Sequence, residues 1–202
     1  MQTNIIQRRN TEAVVAAIIA IWGISAYFLG YTQLFDRTPN QTFGLVVAGI
    51  LAFLIIFYYI NNRFRAFAES IPLKTIALFH VWRIFAGWAF ISFSHSLPET
   101  FVNNAAYGDI VAGFLGLSVF IFRRSKLIYY VFNIIGAIDF TLAVGTGLYF
   151  AINDNPEMNT ITQLPLIIIP FVGVPISGFT HFLSFRKLAR LKNVKLTETV
   201  PE

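Results

Sequence analysis

Cysteine is absent from the 202-residue chain, and charged residues make up only 12% of it. The lack of cysteine excludes disulfides, thiolate metal centres and cysteine-ligated iron–sulfur clusters. Soluble domains carry about 25% charged residues. Half that share, together with 56% hydrophobic residues and a mean hydropathy of +0.65, is typical of an integral membrane protein.

Several catalytic signatures are also missing. The sequence contains no phosphate-cradling glycine loop, serine nucleophile elbow or paired-carboxylate motif. It shows no His-x-x-x-His or Glu-x-x-His spacing, so we predict no metal site. These absences favour a role other than catalysis, and they leave a lipid-modifying enzyme open as an alternative.

Six apolar runs are long enough to cross a hydrocarbon core of roughly 30 Å. We therefore predict an all-α polytopic membrane protein with a single transmembrane domain of six helices. The expected spans are about 11–31, 43–60, 72–95, 107–122, 127–152 and 161–185. The first run lacks an Ala-x-Ala-like cleavage site, and we interpret it as a retained span and not a signal peptide. Prolines 165, 170 and 175 predict a bent sixth span.

The basic residues lie beside alternate connections, which predicts the orientation because cytoplasmic loops carry the excess of Lys and Arg. One side has Arg8 and Arg9, the 63–74 connection, residues 123–126 and the tail, whereas the other side has only Arg37. We expect both termini to be cytoplasmic in a bacterial inner membrane. The net charge of +5 then reflects this topology and not nucleic-acid binding.

Residues 186–202 form a basic cytoplasmic tail in this interpretation. Apolar residues at helical spacing between its cations suit a helix lying on anionic lipids. A polar tail that simply follows the positive-inside rule explains the same residues. Membrane lipids are the expected partners in both cases.

A polar layer is predicted within the cytoplasmic half. At about 1.5 Å rise per residue, three polar side chains lie at similar depth and two charged ones lie deeper. The five residues are His80, Asn133 and His181, then Arg83 and Asp139. Ionisable groups inside a membrane usually mark a binding site, a proton path or a buried ion pair. We expect these residues to line a small polar cavity, with a structural Arg83–Asp139 pair as the alternative.

Two further residues form a candidate outward-facing pair. His95 ends the third predicted span and Asp109 begins the fourth after a short connection. Asp109 could instead stabilise the positive end of its own helix.

The histidines leave a cofactor open. His80 and His181 could be axial ligands of a b-type haem between spans three and six, although membrane histidines more often hydrogen-bond across helices. No other cofactor is predicted.

Four functions remain open at this stage. The leading one is binding or transport of a small polar or anionic solute, or of protons, in the polar cavity. The alternatives are a haem- or quinone-binding redox protein, a non-catalytic subunit of a homo-oligomer or larger membrane complex, and a lipid-modifying enzyme that uses His95 and Asp109.

Short motifs along spans three to six carry a resemblance. They are Arg83-x-x-x-Gly87, Gly108-Asp109-x-x-x-Gly113, Asn133-x-x-Gly136-x-x-Asp139 and the later Pro165, Pro170, Pro175 and His181. The arrangement resembles an uncharacterised group of small bacterial six-span membrane proteins with no known activity. The resemblance implies an inner-membrane setting and adds no chemistry.

Overall fold

The computed structural model describes residues 2–122 and 125–193. All of the regular elements within these residues are helical. The predicted contribution of Arg123, Arg124 and residues 194–202 to the charge pattern lies outside the described residues, as do the side chains of Arg8 and Arg9.

Eight α-helices follow one another within residues 2–122 and 125–193. They are α1 (Gln2–Tyr31), α2 (Asn40–Ile60), α3 (Asn62–Ser70), α4 (Leu73–Phe79), α5 (Arg83–Ser92), α6 (Glu99–Ile121), α7 (Lys126–Ile152) and α8 (Val174–Asn193). Short 3-10 turns stand at Leu34–Arg37, His80–Trp82, Ser94–Ser96 and Pro156–Thr162, and a π-helix at Ile169–Gly173.

In the part of the chain that the structure describes, five helical segments are long and apolar enough to cross a membrane. They are Thr11–Tyr31, Asn40–Ile60, Leu73–Ser92, Glu99–Ile121 and Lys126–Ile152. Large apolar side chains such as Ile21, Phe85 and Leu127 stand more than 60% exposed on their outer faces. Apolar surface of this kind requires a non-aqueous neighbour, and the five helices indicate a membrane protein.

The sixth predicted span, 161–185, is not one helix. Its first part belongs to the Pro156–Thr162 turn, a non-helical stretch follows, and the π-helix leads into α8. Pro165 and Pro170 lack the N–H groups that a continuous helix needs. The neighbouring amides find local acceptors, as when Phe171 N–H donates to the Ile167 carbonyl at 2.9 Å. α8 then continues past Phe185 to Asn193, so the start of the predicted tail is helical.

The connection after α2 is a helix and not a plain loop. Asn61 ends α2, and its side chain accepts a hydrogen bond from Phe64 N–H at 2.9 Å, which caps α3. Asparagine is a favoured N-cap because its side-chain oxygen satisfies a free amide of the first turn.

Helix α6 begins at Glu99, eight residues before the predicted start of span four at Tyr107. Pro98 precedes it, and residues 99–104 form its first two turns. Proline suits this place because the first helical turn needs no donor there. Asp109 therefore lies well inside α6 and not at its end.

Glycines bring α6 against the segment Leu73–Ser92. A Cβ on Gly113 would stand 2.5 Å from Ile84 Cγ1, and one on Gly116 would stand 2.5 Å from the Ala77 carbonyl oxygen. A Cβ on Gly87 would overlap the Ala106 carbonyl. Small residues allow membrane helices to approach this closely, and this contact sets the position of Arg83 relative to α6.

Candidate functional site

Arg83 is the centre of a buried ionic cluster. Its side chain is 2% exposed, and its Nε donates to Asp109 Oδ1 at 2.6 Å. Its Nη2 pairs with Asp139 Oδ2, and its Nη1 donates to the Gly136 carbonyl at 3.2 Å. We call Arg83, Asp109 and Asp139 the Arg83 cluster. It joins α5, α6 and α7 through one side chain.

The local sequence makes room for these contacts. Arg83 follows the 3-10 turn His80–Trp82 directly. A Cβ on Gly108 would occupy the position of Asp139 Oδ1, and one on Gly136 would stand 2.8 Å from His181 Cε1 and 3.7 Å from Arg83 Nη1. Glycine at both positions is what allows the charged groups of three helices to meet.

The charges of the Arg83 cluster do not balance. One guanidinium faces two carboxylates, so the formal charge is −1 when both are ionised. An uncompensated charge in the interior of a membrane protein is costly, and a proton or an external cation would restore neutrality. The guanidinium of Arg83 already pairs with two carboxylates. Arg83 is therefore poorly suited to the predicted role of binding an anion.

The predicted polar layer lies beside this cluster. His181 Nδ1 and Asn133 Oδ1 are 2.9 Å apart, and His80 Nε2 is 3.0 Å from Thr180 Oγ1. The two imidazole rings lie with their centroids 4.3 Å apart. The structure thus brings His80, Asn133 and His181 together, and their role in binding stays a prediction.

Three polar atoms of this layer lack a partner within the described residues. They are His80 Nδ1, Asn133 Nδ2 and His181 Nε2, all buried. Buried polar groups are usually satisfied by protein or by ordered water. The layer therefore has free capacity to accept or donate a hydrogen bond.

The histidine geometry does not fit a haem between spans three and six. Axial ligation of one iron by His80 and His181 would place the macrocycle between the two rings. The rings instead pack directly against each other, and each uses one nitrogen for a protein contact. No group of three or more His, Cys, Asp or Glu side chains suited to a metal occurs among the described residues.

The predicted outward pair is separated. His95 is exposed in the 3-10 turn Ser94–Ser96, whereas Asp109 is buried against Arg83. Asp109 is ten residues inside α6, about 15 Å along the helix axis. Asp109 does not begin a helix, because residues 99–104, expected to be a connection, belong to α6. One feature of the sequence indicates the contact. Arg83 and Asp109 are nearly the same number of residues from the turn that joins α5 and α6, so two antiparallel helices would place them at the same depth.

A largely apolar cleft of about 360 Å³ adjoins the Arg83 cluster. Its main walls are α2 and α7. Helix α2 contributes Phe43, Val47, Leu51 and Ile55, and helix α7 contributes Phe140, Ala143, Gly147 and Ala151. Arg83, Asp109 and Ser177 line it at one end, and Met158 and Ile161 of the Pro156–Thr162 turn line the other. His80, Asn133, Asp139 and His181 are not among its lining residues. The cavity is thus less polar than predicted.

A second ionic contact, which the sequence did not indicate, fastens α3 to α8. Glu69 accepts hydrogen bonds from Tyr58 Oη and from Arg190 Nη1, the latter at 2.9 Å. Lys187 Nζ donates to the Glu69 carbonyl at 2.5 Å, and burial lowers the pKa of Lys187. Arg186 lies over the rings of Tyr58 and Tyr59. We call this group the Glu69 contact.

Comparison with known families identifies the region that holds these features. The sequence model of a domain of unknown function, DUF8737, matches residues 40–189. The chain belongs to this family. No curated protein and no solved structure matches the chain.

The DUF8737 region begins at the start of α2 and ends within α8. The family match therefore covers predicted spans two to six, whereas the resemblance drawn from the motifs covers spans three to six. The match leaves out α1. The Arg83 cluster, the cleft, Glu69 and the polar layer of His80, Asn133 and His181, which we call the histidine layer, all lie within it. The features that carry the site are those of the DUF8737 domain itself.

Proposed function

We propose that this DUF8737 protein is a six-span inner-membrane protein with both termini in the cytoplasm. The five apolar helices and the one-sided distribution of Lys and Arg support this topology. The π-helix and α8 together would complete the sixth crossing. The Glu69 contact would then lie at the cytoplasmic surface.

Its function in this proposal is to bind and release a proton at the Arg83 cluster while a small solute occupies the adjoining cleft. The observation that carries it is the ratio of two carboxylates to one guanidinium at a buried site. Adding one proton to the cluster makes it formally neutral. Loss of the proton restores a negative charge at the end of the cleft.

The histidine layer would supply the route to the cytoplasm. His181 lies close to Gly136, whose carbonyl accepts from Arg83. The unpartnered nitrogens of His80 and His181 can take and pass a proton, because a neutral imidazole has one donor and one acceptor. Transport of protons or of a solute coupled to them is the activity that this arrangement suits best.

Infrared difference spectroscopy tests the proton site directly. Protein in lipid nanodiscs is compared at acid and alkaline pH, and the carbonyl stretch of protonated carboxyl groups is recorded. We expect a band from the Arg83 cluster that is absent in Asp139→Asn and in Asp109→Asn. The control is Glu157→Gln, which changes an exposed carboxylate in the Pro156–Thr162 turn.

The same spectra can refute the proposal. If the folded wild-type protein and the two cluster variants give identical carboxyl bands across the pH range, neither aspartate takes up a proton. The Arg83 cluster would then be a permanently charged structural element.

A second candidate is a subunit of a homo-oligomer or larger membrane complex. One observation favours it: only 11% of the apolar segment Thr11–Tyr31 is buried, so α1 leaves most of its surface to other molecules. Cross-linking through cysteines placed at Ile21 and Ile24, both exposed, tests this role. Cross-linked dimers or a larger complex would support it, and monomers alone would count against it.

A further inference from the structure

We propose that the cleft between α2 and α7 binds a lipophilic amine, with the amino group at Asp109 and the apolar body along α7. This inference rests on the proposed proton site, because the charge of the Arg83 cluster selects the amino group. It deepens that proposal by naming the chemical class of the solute.

The shape of the cleft suits an elongated apolar molecule. The lining stripe of α7 runs from Phe140 to Ala151, which corresponds to about 16 Å along the helix. The volume of about 360 Å³ lies within the range of roughly 300–1,000 Å³ for small-molecule sites. A ring or short chain with one polar end can be accommodated in this space.

The cleft opens between two helices that are candidate spans. Ala48 and Ala52 on α2 line it and are exposed, and Val144 on α7 is half-buried. Small side chains at this edge leave a gap on the surface that would face lipid. A lipophilic molecule can therefore reach the cleft from the bilayer without crossing the polar layer.

The polar end of the cleft offers an acceptor. Asp109 lines the cleft, and 10% of its side-chain surface is exposed. Its Oδ1 accepts a hydrogen bond from Arg83 Nε. An ionised carboxylate only accepts hydrogen bonds. The matching group on the bound molecule must therefore be a donor, which excludes a carboxylate or phosphate monoester as the preferred polar end.

The formal charge selects an amine over an alcohol. The charged groups around Asp109 are Arg83 of α5 and Asp139 of α7, with His80 and His181 beside them. When both aspartates are ionised the cluster carries −1. When the cluster instead holds its proton, a neutral amine arriving from lipid can take it: the carboxyl O–H bond breaks, an N–H bond forms, and the ammonium then faces the carboxylate.

Equilibrium dialysis with protein in nanodiscs tests this inference. Three radiolabelled probes share one apolar body: 4-phenylbutylamine, 4-phenylbutanol and 4-phenylbutyrate. Binding is corrected for partition into empty nanodiscs. We expect the amine to bind at least tenfold more tightly than the alcohol, and the carboxylate to show no saturable binding.

Two pairs of variants locate the bound amine. Asp109→Asn should weaken amine binding at least tenfold, whereas Glu99→Gln, an exposed change at the start of α6, should not. Ala48→Leu narrows the mouth of the cleft and should weaken binding by a similar factor. Its control is Ala20→Leu on the exposed face of α1. Ala48 is on α2 and is not a member of the Arg83 cluster, so this pair remains informative if Asp109→Asn does not fold.

Equal binding of the three probes would overturn the inference, as would full binding by Ala48→Leu. These failures leave the infrared test of the proton site unaffected. Conversely, selective binding of the amine without any titrating carboxyl band would support the cleft and refute the proton site.

Discussion

Replacing Arg83 by methionine should destabilise the protein strongly. The substitution keeps the apolar stem and removes the charge between Asp109 and Asp139. The hydrogen bonds of the guanidinium to both carboxylates and to the Gly136 carbonyl are lost, and a hydrogen bond to a charged group contributes roughly 1.5–3 kcal/mol. Breaking a buried ion pair by removing one partner costs about 3–5 kcal/mol, because the remaining charge stays buried without compensation. We expect the free energy of unfolding to fall by about 3–5 kcal/mol.

The triple variant Arg83→Met, Asp109→Asn, Asp139→Asn separates charge from packing. It removes all three charges and keeps side chains of similar size, so it should recover more than half of the loss. Replacement of a buried ionic cluster as a whole is often close to neutral, whereas removal of one member is not. The matched control is Arg65→Met, since Arg65 is exposed on α3 and should change stability by less than about 0.5 kcal/mol.

Unfolding in mixed micelles with increasing SDS, followed by circular dichroism and tryptophan fluorescence, measures these differences. A loss below about 1 kcal/mol for Arg83→Met, which is the size of an exposed ion pair, would refute the reasoning. So would a triple variant that is less stable than the single one, because the penalty would then not come from the unpaired carboxylates.

Three further predictions concern packing and the cytoplasmic side. Gly87→Ala should lower stability by about 1–3 kcal/mol through overpacking, since a Cβ there overlaps the Ala106 carbonyl. Gly145→Ala should be neutral or stabilising, because a Cβ at Gly145 has no atom within 4 Å. Thermal unfolding in detergent compares the stability of the two variants. Asn133→Ala should cost about 1–3 kcal/mol because it leaves His181 Nδ1 without its partner, and unchanged SDS unfolding would contradict this. Glu69→Gln should loosen α8 and speed tryptic cleavage near its C-terminal end, while Glu157→Gln should not; equal cleavage rates would show that the Glu69 contact does not hold α8.

The helical, membrane-type character of the chain could be predicted from the sequence because it depends on apolar runs and charge placement. Those patterns are local and need no knowledge of neighbours. Five of the six expected spans correspond to helices that are long and apolar enough. The sixth does not, because Pro165 and Pro170 interrupt its helical hydrogen bonding. Where such a chain turns depends on which backbone carbonyls find partners in the folded protein.

The candidate site could be predicted in part. Counting residues from the basic ends placed His80, Asn133 and His181 at one depth, and the structure brings these three side chains together. Depth alone could not identify Asp109 as a partner of Arg83, since that required the true start of α6 at Glu99. The contact of α3 with α8 through Glu69 depends on tertiary packing, and no local pattern indicates it.

The sequence separations within the Arg83 cluster have a consequence for biosynthesis. Asp109 follows Arg83 by 26 residues and Asp139 follows it by 56. At roughly 5–20 residues per second, the ribosome supplies the first carboxylate about 1–5 s after the arginine and the second about 3–11 s after it. An arginine at the centre of a helix costs about 2.5–3.5 kcal/mol to insert. We therefore expect the segment Leu73–Ser92 to enter the bilayer as a hairpin with α6, and α7 to be added to that pair.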